Sequence, residues 1–81
     1  MAAQQLCLGD LQAGARGRVT GHASRSRPYL RRLLAMGLIP GAEFTVVRRA
    51  PLGDPVEIEL LGFLLSLRAA EAADVRIEIA S

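Results

Sequence analysis

The chain has no lysine and no tryptophan, a single cysteine (Cys7), a single histidine (His22), and three aromatic residues in 81: Tyr29, Phe44 and Phe63. Each shortage excludes something. One cysteine forms no intrachain disulfide, and a structural zinc needs four Cys or His ligands. Carboxylates leave room only for weak, transient binding of Fe2+ or another divalent cation, so no resident cofactor or dedicated metal site is expected. Hydrolysis or group transfer needs a nucleophile beside a base, or paired carboxylates in a cleft. No spacing here supplies either, so the expectation is a protein that is not an enzyme. Gly14-Ala15-Arg16-Gly17 is glycine-rich but matches no phosphate-binding fingerprint. The longest fully apolar run is about four residues, far below the roughly 20 that span a bilayer. Met1 to Leu8 lacks the charged and apolar regions of a signal peptide. These features predict a cytoplasmic protein with no direct membrane insertion.

What charge there is, is unevenly spread. Arg16, Arg18, Arg25, Arg27, Arg31 and Arg32 carry +6 with no acid among them, whereas four arginines and seven acids follow from Glu43 onward. A basic block of this kind suits nucleic acid, an anionic surface or simply solvent. Small barrels that grip single strands stack bases on exposed aromatics. Phe44 and Phe63 are expected in the core, leaving only Tyr29 as a platform. Nucleic acid through the arginines of 16–32 is therefore the alternative reading, and no nucleic-acid partner is the expectation.

Periodicity gives a mainly β, single domain over 6–80. Leu8 and Leu11 are placed to plug one end of a barrel. Arg16 to His22 alternates as a strand with Gly17, Val19 and Gly21 on one face. Ser24 to Gly37 is the one convincing helix, with Ser26 as cap, Pro28 in its first turn, and Tyr29, Leu30, Leu33, Leu34 and Met36 as its apolar stripe. Gly37 closes it. Glu43 to Arg49 follows as a strand, then Val56 to Leu60, where Val56, Ile58 and Leu60 alternate with Glu57 and Glu59. Leu61-Gly62 makes a hairpin turn into Phe63, Leu65 and Leu67. Ala69 to Asp74 is a short, solvated helical turn before a closing strand with Val75, Ile77 and Ile79. Five short antiparallel strands with one inserted helix suit a small barrel, whose closure removes aggregation-prone edges.

Two apolar loop segments stand where polar residues are the rule: Leu38-Ile39-Pro40 and Ala50-Pro51-Leu52. Their functional reading is a surface for a protein partner. The expected partner-binding residues are Leu33, Met36, Leu38, Arg49, Pro51 and Leu52. Apolar corners of this kind also suit a homo-oligomer.

Those corners are part of a longer pattern. Leu8-x-x-Leu11-x-x-Gly14-x-x-Gly17 leads to Arg32-Leu33 and Met36-Gly37-Leu38-x-Pro40-Gly41. Arg49-Ala50-Pro51-x-Gly53-Asp54-Pro55 follows, then Gly62 and Leu67-Arg68-x-x-Glu71-Ala72. In this order and spacing the chain resembles the FeoA family of bacterial ferrous iron uptake, from about Leu8 to Ile79. The resemblance implies an SH3-like five-stranded barrel and an accessory role on a FeoB-like membrane transporter with a cytoplasmic GTPase domain. It implies modulation through protein–protein interaction, with a metal-responsive interaction domain as a further alternative. It brings no catalytic residues, and Pro40, Gly41, Gly53 and Gly62 are accounted for by backbone geometry alone.

Overall fold

A computed structural model describes residues 6–23, 27–52 and 54–80, with only the backbone at Tyr29. Six strands and two short helices follow in the order β1 (Leu6–Cys7), β2 (Arg16–His22), α1 (Arg27–Ala35), β3 (Glu43–Arg49), β4 (Val56–Leu60), β5 (Phe63–Leu67), α2 (Ala69–Ala73) and β6 (Val75–Ile79). A 3-10 turn at Leu8–Asp10 sits between β1 and β2. All pairings are antiparallel, in the sheet order β1-β6-β2-β3-β4-β5. The fold is mainly β and SH3-like. The strand beyond the expected five is the two-residue β1, paired to Ile77 and Arg76. Among the described residues no pairing joins β5 back to β1, so both remain edges.

Alternation builds the core. Val19, Phe44, Val46, Val56, Ile58, Leu60, Leu67, Val75 and Ile77 turn one face of the curled sheet inward. Register shifts between Val19 and Gly21 and between Val46 and Arg48 bend β2 and β3 around that core. Leu8 and Leu11 close it from the 3-10 turn, Ala72 from α2, and Leu33 and Leu38 from α1 and its exit.

Helix α1 ends as its sequence dictates. Gly37 takes φ +96°, Leu38 N–H donates to Leu33 C=O at 3.2 Å and Gly37 N–H to Leu34 C=O at 3.0 Å. This is the Schellman closure, and it turns Leu38 into the core. The expected helix start at Ser24 and the Ser26 cap lie outside the described residues. Only part of the expected stripe is buried: Leu33 fully and Leu30 and Met36 partly, while Leu34 is 38% exposed. At 100° per residue Leu33 and Leu34 cannot both point inward on a helix that meets the core along a narrow line.

Two further expectations are corrected. Phe63 is 71% exposed rather than buried. It pairs with Leu60 in the last row of an edge strand, so one flank of its ring has no neighbouring strand. Glu71, expected on a solvated turn, is only 6% exposed. Its Oε1 accepts the Arg68 N–H at 2.9 Å and its Oε2 lies 3.7 Å from Arg32 Nε, tying α2 to α1.

Candidate protein-interaction surface

Of the six residues expected at the contact, Leu33 and Leu38 have no exposed surface at all. They are core residues and cannot face a partner, because the helix closure that follows Leu33 also buries Leu38. Met36 is half-buried against the core. Arg49 is half-buried and already occupied: its Nη1 donates to Gly9 C=O at 2.7 Å and to Leu11 C=O at 2.5 Å. It thereby fastens the end of β3 to the 3-10 turn, a structural clamp rather than a free cation. Pro51 and Leu52 do project, and Leu52 is 96% exposed at the tip of the β3–β4 loop.

That loop rests on a fixed base. Ala50 N–H donates to Pro55 C=O at 3.1 Å, and Asp54 Oδ1 accepts the Ala69 N–H at 3.1 Å. The other apolar corner, from Met36 to Gly41, leaves the opposite end of β3. Gly41 N–H donates to Val19 C=O at 2.7 Å there, and Ile39 is half exposed. Seven strand residues separate the two corners, about 20 Å along β3. The sequence-predicted set is thus divided between two ends of the molecule instead of forming one patch.

A larger apolar group was not anticipated. Leu61, Phe63 and Leu64, at the β4–β5 turn and along β5, are each about two-thirds exposed or more. A signal for it exists in the sequence: in Phe-Leu-Leu-Ser-Leu, residues 63–67, Leu64 is apolar where alternation demands a polar residue.

The arginine block is partly neutralised. Arg18 sits 2.9 Å from Glu78 and 3.9 Å from Glu43, and Arg32 meets Glu71. These exposed Arg18 pairs add little stability, but they offset the positive charge of β2 with carboxylates from its two neighbouring strands. Among the described residues no three His, Cys, Asp or Glu side chains converge as a metal site. Cys7 is partly buried; burial, and then Asp10 beside it, push its thiol pKa up, so it stays a neutral thiol. No helix among the described residues is long and apolar enough to cross a membrane.

Comparison with known proteins agrees with this architecture. The FeoA domain family model matches residues 6–79. A Porphyromonas gingivalis protein named as an Fe(2+) transport protein A/Fe(2+) transporter FeoB fusion is 40% identical over 53 residues, 65% of this chain but 6% of that protein. The chain therefore corresponds to a small fraction of that relative's length. The solution structure of FeoA from Chlorobium tepidum is 41% identical with a TM-score of 0.84, covering 94% of this chain and 71% of that one. An FeoA-like protein from Clostridium acetobutylicum is 30% identical with a TM-score of 0.87, covering 99% and 92% of the two chains. With the family match running from β1 to the end of β6, this chain belongs to the FeoA domain family.

Proposed function

We propose that this protein is a non-enzymatic accessory of ferrous iron uptake that docks on a FeoB-like transporter and modulates it by protein–protein contact. The observation that carries this reading is the fusion relative, in which a homologous segment and a FeoB transporter are one polypeptide. Covalent joining supplies high effective concentration, and separate chains with the same roles need a surface to replace it. The loop tip at Pro51 and Leu52 is the part of the predicted contact set best placed for that task. An exposed leucine on a loop pinned at both ends loses little conformational freedom on burial by a partner.

The test is a calorimetric titration of this protein against the cytoplasmic domain of its cognate FeoB-like transporter, with and without guanine nucleotide. Saturable binding that weakens in Leu52→Glu supports the reading. Binding unchanged by Leu52→Glu moves the contact elsewhere, and no binding to full-length transporter removes the proposal. A parallel titration with single-stranded DNA at low salt addresses the arginine-based alternative, which requires a steep salt dependence.

A further inference from the structure

Strand β5 is an edge without the usual protections. Sheet edges are normally blunted by charge, proline, bulges or covering elements. Residues 63–67 carry no charge and no proline, their pairing with β4 has no register shift, and Leu64 is 66% exposed. The turn before it adds a strained residue. Leu61 and Gly62 take φ +53° and +82°, the two-residue type I′ geometry, and Leu61 is 77% exposed. A leucine is costly in the left-handed region and gains nothing there from burial within its own chain.

The backbone of this edge has a definite pattern. A two-residue turn makes Leu60 and Phe63 a hydrogen-bonded pair, and antiparallel pairs then alternate. Phe63, Leu65 and Leu67 therefore direct their N–H and C=O groups toward β4, whereas Leu64 and Ser66 direct theirs outward. Among the described residues, no backbone or side-chain hydrogen bond from another element reaches Leu64 or Ser66.

The geometry points to a second copy of this chain as the occupant. We propose that β5 pairs with β5 of another copy, antiparallel about a two-fold axis at Leu65. In that register Leu64 lies opposite the second copy's Ser66, so every outward backbone group of one edge meets one of the other. Leu65 meets its own counterpart, and Phe63 comes opposite the second copy's Leu67. An uncharged edge imposes no like-charge repulsion at the axis. Its flanks are complementary: Glu59 shares the outer face with Leu64, and Arg68 continues that face beyond Ser66. Neither side chain has an ion-pair partner among the described residues. The two-fold brings each Arg68 toward the other copy's Glu59, with Cα atoms about 12 Å apart from strand spacings, within reach of extended side chains. Because each copy supplies both charges, the contact is self-complementary and closes as a dimer instead of a fibre. It involves neither Pro51 nor Leu52, so its failure and that of the docking reading are separate results.

Sedimentation equilibrium of the full chain from micromolar to millimolar concentration tests it. The expected mass rises from 8.7 kDa toward twice that value. Ser66→Pro removes an outward N–H without touching the β4 ladder, and Leu64→Lys puts a charge beside the axis. Both are expected to stay at monomer mass with an unchanged circular dichroism spectrum. Glu59→Arg is expected to weaken the dimer, and adding Arg68→Glu to recover it. Amide exchange gives a readout that needs no variant: Leu64 and Ser66 gain protection with concentration while Leu65 is protected throughout. A wild-type chain that stays monomeric at millimolar concentration overturns the proposal. So does a dimer that survives both edge variants, or one whose Leu64 and Ser66 amides are indifferent to concentration.

Discussion

Gly17 lies against the ring of Phe44: a Cβ added at Gly17 would sit 2.8 Å from Phe44 Cζ and 3.1 Å from Glu78 C=O. The two residues are register partners across β2 and β3, so the ring fills the space that the glycine leaves open. Phe44 is anchored in the core and Glu78 contributes backbone, so neither can easily retreat. Gly17→Ala is expected to cost about 1–3 kcal/mol through overpacking, read as a lower denaturation midpoint at unchanged m-value.

Leu38 and Leu52 are both leucines in loops, and their glutamate variants should part company. Leu38→Glu buries a carboxylate in a fully enclosed site and is expected to unfold a domain of this size. Leu52→Glu changes a side chain in solvent, and its stability is expected to stay within about 0.5 kcal/mol of the parent. Thermal melts monitored by circular dichroism distinguish the two.

Leu61 is a site where stability can be raised. Asparagine tolerates the left-handed conformation and is favoured before glycine in a type I′ turn. Leu61→Asn is expected to stabilise the fold by about 1 kcal/mol, a melting-temperature increase of several degrees.

Arg49 should be intolerant of conservative exchange. Its guanidinium serves two carbonyls two residues apart in sequence, Gly9 and Leu11. Both bonds leave from Nη1, one bond further from the backbone than a lysine Nζ, and lysine is a more strongly hydrated point charge. Arg49→Lys is expected to lose about 1–2 kcal/mol and to speed amide exchange around Leu11, measured by NMR.

The thiol of Cys7 should be sluggish. Burial and the neighbouring Asp10 raise its pKa above the ordinary thiol value, so the folded chain resists ionising there. Alkylation by iodoacetamide at neutral pH is expected to be slower than in the urea-unfolded chain. The sign for stability follows: the contribution is full below the unfolded thiol's pKa and is lost as pH rises through the folded one.

Much of this fold was legible. The alternation of Val56, Ile58 and Leu60 identified β4 and its inward face, and Gly37 marked the end of α1 because few other residues adopt its conformation cheaply. Periodicity reports which way a side chain points but not what stands there to receive it. Phe63 points along the inner face like Leu60, yet it lies at the rim of an edge strand and stays wet. Leu33 and Leu38 looked like surface candidates because they flank a corner; their burial depends on how α1 is set down on the sheet, which local pattern does not encode. Glu71 was likewise missed because its ion-pair partner, Arg32, lies 39 residues away in sequence. The apolar corners divided because β3 runs between them, a separation invisible in a list of motif residues.

The length of β3 has a consequence for valency. Leu52 lies beyond the Arg49 end of that strand and the β4–β5 turn beyond its Phe44 end, so a partner held at the turn alone leaves the loop tip unobstructed. In the proposed β5 dimer the two-fold puts the two Leu52 loop tips at opposite ends of the pair, as a bivalent ligand for targets spaced to match. For such a pair, avidity rather than tighter packing at either tip would set the strength of binding to a target with two matching sites.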